Sequence, residues 1–309
     1  MQPSTGQAGV ASRLARKLRL VRDHITGKAI ARRFTRIEQL IGGASATYIG
    51  NNRLLTVVRV SGHRLMLYLD AEDRLLTPWV VTTGSYDTVL SDYIVNTVNP
   101  TDHCIDVGTN FGYFTCLLAT LCTSGRVVGI EVEERCVDLA RDNVLINSLF
   151  DRATVIHAAA SDSDKELTFY RRSHRSGNTS LCVFDEAFTE FMRERPVEPF
   201  SIRGVRIDDV AAGLGGRVDF MKIDVEGAEP LVLAGARATI AANPQLRIAM
   251  EWSPGQIQHA GFDVPQFVAS FAGMGLIAHD FDGAKLVPLT ADALAALPYR
   301  GSIVLQRGT

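Results

Sequence analysis

The sequence predicts an α/β fold built on a doubly wound, Rossmann-like parallel sheet, and three observations predict it. Beyond Gly84, apolar runs of strand length alternate with segments of helical period. The run His103-Cys-Ile-Asp-Val-Gly108 ends an apolar strand in an acid and a glycine turn, the local form of a ligand-binding switch point. A second run, Arg126-Val-Val-Gly-Ile-Glu131, ends in another acid 23 residues beyond Gly108.

Charge and composition divide the chain before any element is placed. With 46% hydrophobic residues in 309, the chain can bury a sizeable core. A net charge of −2 argues against a general nucleic-acid binder. The charge is uneven: residues 1–42 carry +7 and the remainder −9. Leu14, Leu18, Val21 and Ile25, then Ile30, Phe34, Ile37 and Ile41, fall at helical spacing. Residues 1–45 therefore read as a basic, amphipathic helical extension. It suits a packing or homodimerising arm, or contact with an anionic membrane surface or phosphorylated substrate. Five cysteines without metal spacing read as free thiols in a reducing cytosol. No secretory signal is evident, so a soluble cytoplasmic protein is expected.

Residues 46–84 alternate apolar and polar groups between Asn, Gly and Asp turns, predicting a small antiparallel β region whose last strand covers 71–81. Residues 85–309 hold the main domain. A helix is expected near 87–98, then strands at 103–108 and 126–131 and a helix over 134–147. A strand at 153–159 precedes an irregular stretch, 161–203. A strand at 218–225, a helix over 230–242, a strand at 246–252 and a helix over 264–274 follow. Strands at 275–281 and 302–306 close the chain.

The chemistry gathers in three motifs. In Asp106-Val-Gly-Thr-Asn-Phe-Gly-Tyr113, Gly108 permits close approach of the backbone, Asn110 tolerates positive φ, and Gly112 opens a helix. Helix-start amides there are expected to hold a ligand's carboxylate. A dinucleotide fingerprint wants a third glycine where Tyr113 stands, so the spacing suits adenosylmethionine better than NAD. Glu131 can accept both hydroxyls of an adenosine ribose. In Lys222-Ile-Asp-Val-Glu-Gly-Ala-Glu229, three carboxylates crowd the end of a central strand, and mutual repulsion would make one of them a general base.

Together these motifs, with Asn143-Val-Leu-Ile-Asn147 and Val232-Leu-Ala-Gly-Ala236, resemble the FkbM-type adenosylmethionine-dependent methyltransferases. The resemblance covers about 46–306, with Thr109 where the family usually has Ala. It implies the class I methyltransferase fold, a seven-stranded doubly wound sheet whose final strand inserts antiparallel. It also implies methyl transfer from S-adenosylmethionine to a hydroxyl of a sugar, glycan or secondary metabolite. Carried over by position, Gly108, Asn110 and Gly112 would line the methionine moiety, with Asp106 and Tyr113 in the same loop. Glu131 would meet the ribose, Ala159 and Ala160 the adenine with Asp162 nearby, and Asp224 the sulfonium.

Asp224, Glu226 and Glu229 are the expected catalytic carboxylates, with His157 and His174 as weaker bases. Asp224 and Glu251 occupy the places of metal-binding acids in catechol-type enzymes, but Trp252 stands where a third oxygen is wanted, so no metal is expected. Trp252 could instead wall the acceptor pocket. The polar run Arg171, Arg172, His174, Arg175 and Asn178 could grip an acceptor. Two rival readings stand beside this one: a NAD-dependent oxidoreductase, and a non-catalytic nucleotide-binding module.

Overall fold

The structure, a computed structural model, describes residues 46–171, 179–181 and 198–308. The basic extension, Cys182 and, of the polar run, Arg172, His174, Arg175 and Asn178 lie outside them.

The chain opens with an antiparallel meander, β1 (Ala46–Gly50), β2 (Arg53–Val60) and β3 (His63–Asp70). The last expected β segment is instead a helix, α1 (Leu76–Thr83). Its Thr/Val/Trp content favours strand, but the ends decide. Asp73 accepts from the amides of Leu75 (3.0 Å) and Thr77 (2.9 Å), Pro78 falls in the first turn, and Gly84 closes the helix at φ 67°.

Next come α2 (Thr88–Thr97), capped by the Asp87 side chain, then β4 (His103–Val107), α3 (Tyr113–Leu121), β5 (Arg126–Glu131), α4 (Glu134–Ile146) and β6 (Ala153–His157). The stretch expected to be irregular carries a second small sheet. It consists of β7 (Ala159–Ala160), β8 (Glu166–Arg171) and β9 (Glu198–Val205), in the order β7-β9-β8. Beyond it lie α5 (Ile207–Gly213), β10 (Phe220–Ile223), α6 (Glu229–Ala234) and α7 (Arg237–Ala242). The expected single helix over 230–242 is broken because the backbone at Gly235 passes so close to Ser161 that an added Cβ would sit 2.0 Å from its carbonyl oxygen. The remaining elements are β11 (Arg247–Trp252), α8 (Pro254–His259), α9 (Val264–Gly273), β12 (Leu276–Asp282), β13 (Lys285–Pro288), α10 (Ala291–Ala295) and β14 (Arg300–Arg307).

The main sheet has eight strands in the order β13-β12-β14-β11-β10-β4-β5-β6. Seven make the class I methyltransferase arrangement, with β14 antiparallel to both its neighbours. The eighth, β13, is a short hairpin extension beyond β12. The chain leaves β4 toward β5 and β6 and returns at β10, so the switch point lies between β4 and β10.

Two apolar clusters cover the sheet. One joins Ile105, Met221, Ile248 and Trp252 to α5, α6, α8 and α9. The other joins β2, β3 and α2 to Phe114, Leu117, Val137 and Val144 of α3 and α4, so the meander shares its core with the main domain. Polar bonds fix the same contact. Asn143 and Asn147 project from one face of α4 onto the open edge of β3. The Asn143 amide bonds the backbone of Tyr68 both ways (2.6 and 2.9 Å), and that of Asn147 does the same at Met66 (2.9 and 2.7 Å). Cys104, Cys116, Cys122 and Cys136 are buried free thiols, and those of Cys104 and Cys122 share a hydrogen bond at 3.5 Å. Among the described residues, no helix is long and apolar enough to cross a membrane.

Candidate functional site

A cavity of about 320 Å³ opens at the C-terminal ends of β4, β5, β10 and β11. That is where a doubly wound sheet leaves room for a ligand, and the volume is in the range of small-molecule sites.

The loop after β4 forms one wall. Gly108 has φ 74°, and a Cβ there would fall 1.8 Å from the carbonyl oxygen of Asp224. Glycine at 108 therefore lets the ends of β4 and β10 approach each other. Gly112 (φ 85°) opens α3 as its N-cap, as expected, but its missing Cβ makes room for Ala140 of α4 at 2.9 Å, and it does not line the cavity. Asn110 is left-handed at φ 49°, and its side chain accepts from Phe111 N–H at 2.7 Å.

The amides from 108 to 112 are committed inside the protein. Gly108 and Thr109 donate to Ile130, Asn110 to Glu131, Phe111 to Asn110 and Gly112 to Thr109. These five amides precede α3, which begins at Tyr113, so they are not the helix-start amides expected to hold a ligand's carboxylate. Thr109, the departure from the usual Ala, is absorbed by a hydroxyl chain through Thr115 (2.5 Å) to Asp106 (2.7 Å).

Glu131 ends β5 at the cavity and is nearly buried. Its carboxylate accepts from the amides of Asn110 (2.8 Å), Val132 (2.8 Å) and Glu133 (2.9 Å). Burial pushes its pKa up to about 7; the three amides oppose the rise and the Glu133 charge adds to it. The group therefore ionises as pH rises through about 7. A ligand that donates hydroxyls to this carboxylate should bind more weakly as pH falls, about tenfold per unit below that point. Calorimetric titration with S-adenosylhomocysteine across about pH 6 to 8 checks this, and Glu131→Gln should flatten the profile.

The opposite wall is acidic. Lys222 is buried, and its ammonium donates to Gly108 O (3.1 Å), pairs with Asp224 (3.2 Å) and Asp106 (3.7 Å), and lies 5.3 Å from the Phe114 ring centre. Burial presses its pKa down, but the two carboxylates outweigh burial and the net shift is upward. Asp224, Glu226 and Glu251 each bring an oxygen within 4.8 Å of the others. Hard oxygens so placed could hold a divalent cation. Lys222 already neutralises Asp224, however, and the Gln256 amide donates to Glu226.

Glu251, at the end of β11, keeps one buried oxygen without a hydrogen-bond partner among the described residues. Burial, then the charges of Asp224, Glu226 and Glu229, holds its carboxyl well above the usual range, while a hydrogen bond with Tyr299 opposes the rise. Tyr86, Phe111, Tyr113 and Phe114 add aromatic surface, and Tyr86 packs edge-on against Tyr113 at 5.4 Å.

Several expected residues stand elsewhere. Glu229 is fully buried outside the cavity, where it accepts from the amides of Val225 (3.2 Å) and Gly227 (3.4 Å) and holds the turn before α6. Its pKa of about 7 reflects burial and not contact with the cavity. Asp106 is buried behind Lys222. Ala160 lines the cavity, but Ala158 does so in place of Ala159, and Asp162 lies on a neighbouring groove. Trp252 is a core residue stacked on Phe267, with its N–H donating to Leu297 O at 3.2 Å, and does not line this cavity. His157 is exposed and bonds Val132 O. Sequence reasoning gave no role to Lys222, Tyr86, Gln256, Tyr299, Phe169 or Thr179. Lys222 stands at the head of the acidic motif, but that motif was read for its carboxylates.

Residues 106–275 match the model of the methyltransferase FkbM domain, which takes in the loop after β4, Glu131, the acidic turn and Glu251. The chain belongs to the FkbM methyltransferase family. A relative of this FkbM methyltransferase, the methyltransferase sdnD of Sordaria araneosa, is 23% identical over 214 residues, covering 56% of this chain and 82% of its own. Among solved structures, the O-methyltransferase from Bacillus cereus in complex with SAH is similar at 16% identity and a TM-score of 0.38, covering 69% of this chain and 76% of that one. An rRNA methylase from Streptococcus thermophilus is similar at 8% identity and a TM-score of 0.39, covering 71% and 93%.

Proposed function

We propose that this FkbM methyltransferase uses S-adenosylmethionine and methylates a hydroxyl of a sugar, glycan or secondary metabolite. One observation carries the reading: the cavity at the switch point joins the buried carboxylate of Glu131 to an acidic, aromatic wall. Among the described lining residues Lys222 is the one lysine or arginine, against Glu131, Asp224, Glu226 and Glu251. Such a wall attracts a cation, and aromatic faces add to that attraction. When bound, the cofactor supplies an activated methyl on a cationic sulfonium, which passes to the acceptor oxygen as the S–C electron pair returns to sulfur.

The chain's own residues then divide the work. Glu131 receives the ribose hydroxyls, Gly108 and Asn110 border the methionine side, and Asp224, fixed by Lys222, faces the sulfonium. Of the carboxylates proposed as base, Asp224 is engaged by Lys222, Glu226 by Gln256 and Glu229 by backbone amides. Glu251 keeps an uncommitted oxygen and a raised affinity for a proton, so it suits the hydroxyl proton best. Tyr299, half in solvent, offers that proton a way out.

Transfer of a labelled methyl from S-adenosylmethionine to panels of sugar and polyketide hydroxyls tests the reading. Glu251→Gln should cut turnover about 100-fold or more with cofactor affinity intact. Transfer to amines or thiols but not hydroxyls would refute the O-methyl assignment. Undiminished turnover in the variant would remove Glu251 as base.

A further inference from the structure

The antiparallel meander carries an apolar face that the described residues leave uncovered. Successive side chains of a strand point to opposite faces. The pairs Thr56–Leu67 and Val58–Leu65 point inward, into the core shared with α3 and α4. The pairs Leu55–Tyr68 and Val57–Met66 point the other way. The outer face of such a sheet is polar when it meets water, yet this one offers leucine, tyrosine, valine and methionine. Leu55, Val57 and Met66 are only partly buried, and none of them joins either core cluster of the described residues. Ile49, in the edge strand β1, is 47% exposed.

The segment that enters β1 has the matching pattern. Ile30, Phe34, Ile37 and Ile41 fall on one stripe at helical spacing, with Arg32 and Arg36 opposite. Gly42-Gly43-Ala44-Ser45 then separate Ile41 from Ala46, where β1 starts. A glycine just past the last apolar position is a helix stop, and the four residues make an ordinary helix-to-strand connection. So short a connection keeps a helix beside the sheet it feeds. The inner face of the meander is filled by α3 and α4, which leaves the outer one. The sizes agree as well. Residues 30–41 as a helix span about 18 Å, and a helix is about 10 Å wide. Strands of the length of β2 and β3 span about 26 Å, and three side by side make a sheet about 10 Å across.

We infer that residues 30–41 form a helix seated on the outer face of the meander, with Phe34 and Ile37 packed on Leu55, Val57 and Met66. The occupant is this chain's own segment, not a second copy or a lipid surface. The meander then becomes the middle of three layers, with a helix on one side and the main domain on the other. Arg32 and Arg36 stay in water, and trypsin cuts beside them only when the helix lifts off and unfolds. Nothing in this inference depends on the cofactor or the acceptor.

Limited trypsin digestion of the full chain, dilute and free of lipid, tests the inference through a substitution outside the segment. Val57→Asp puts a charge under the helix and should speed cleavage at Arg32, Arg33 and Arg36 about tenfold or more over wild type. Phe34→Asp should do the same from the other side of the contact. Cleavage within residues 46–308 should stay as in wild type. If Val57→Asp opens those residues too, Val57→Thr decides, because it keeps a branched strand side chain and should still speed cleavage of the segment alone. Equal cleavage of the segment in wild type and in the Val57 variants would overturn the inference. Protection that is lost on dilution together with a dimer mass would overturn it by seating a second copy on the face. Protection that appears only with phosphatidylserine vesicles would overturn it by seating a membrane there.

Discussion

Gly108→Ala should cost this protein its cofactor site and much of its stability together. The added Cβ would meet the Asp224 carbonyl oxygen at 1.8 Å, with the carbonyl carbon at 2.9 Å. Both are backbone atoms at the end of a buried central strand, so neither can step aside as a flexible side chain would. Gly108 also has φ 74°, a conformation that costs a non-glycine residue about 1–3 kcal/mol before any clash. Strain and clash together should lower stability by about 3–5 kcal/mol, or roughly 10 °C in Tm for a chain of this size. Any relaxation must separate β4 from β10, the junction over which the cavity opens, so S-adenosylhomocysteine binding should fall about 100-fold or beyond detection. Gly213→Ala is the control: an added Cβ meets nothing within 4 Å there. Melting curves and calorimetry on both variants would show it. Normal binding by Gly108→Ala would mean that the close approach of the two strands is not what shapes the site.

Lys222→Met should be nearly as damaging, for an electrostatic reason. Asp106 is 0% exposed, and Lys222 is the cation beside it. Methionine replaces the length of lysine but leaves the buried carboxylate and Asp224 facing each other without compensation. Breaking a buried pair from one side costs about 3–5 kcal/mol. Adding Asp106→Asn should recover much of the loss at neutral pH. A double variant no more stable than the single one would show that the pair is not the unit that matters.

Much of this molecule is legible in its sequence where local and tertiary forces agree. The strands at β4, β5, β10 and β11 are buried on both faces, and their unbroken apolar runs, each ended by an acid or a glycine, are read directly. The Gly108 turn and Glu131 follow from the same logic. Errors arise where composition and capping disagree. Residues 76–83 look like strand from their β-branched content, yet Asp73, Pro78 and Gly84 punctuate a helix.

Other features depend on contacts no local pattern contains. Gly235 breaks a helix because Ser161 lies against it, and β8 and β9 pair across 26 intervening residues with mixed polarity. The site shows the same division. Tyr86, Tyr299, Phe169 and Thr179 come to the cavity from distant elements by topology alone. Glu229 looked catalytic because it shares a motif with Asp224, but its carboxylate faces its own turn.

The central claim is that this cavity is built for adenosylmethionine, and calorimetric titration of the full chain with S-adenosylmethionine, S-adenosylhomocysteine and NAD tests it most directly. Saturable binding of the first two at one site, abolished by Glu131→Ala, is the predicted result. Binding of NAD alone would contradict it.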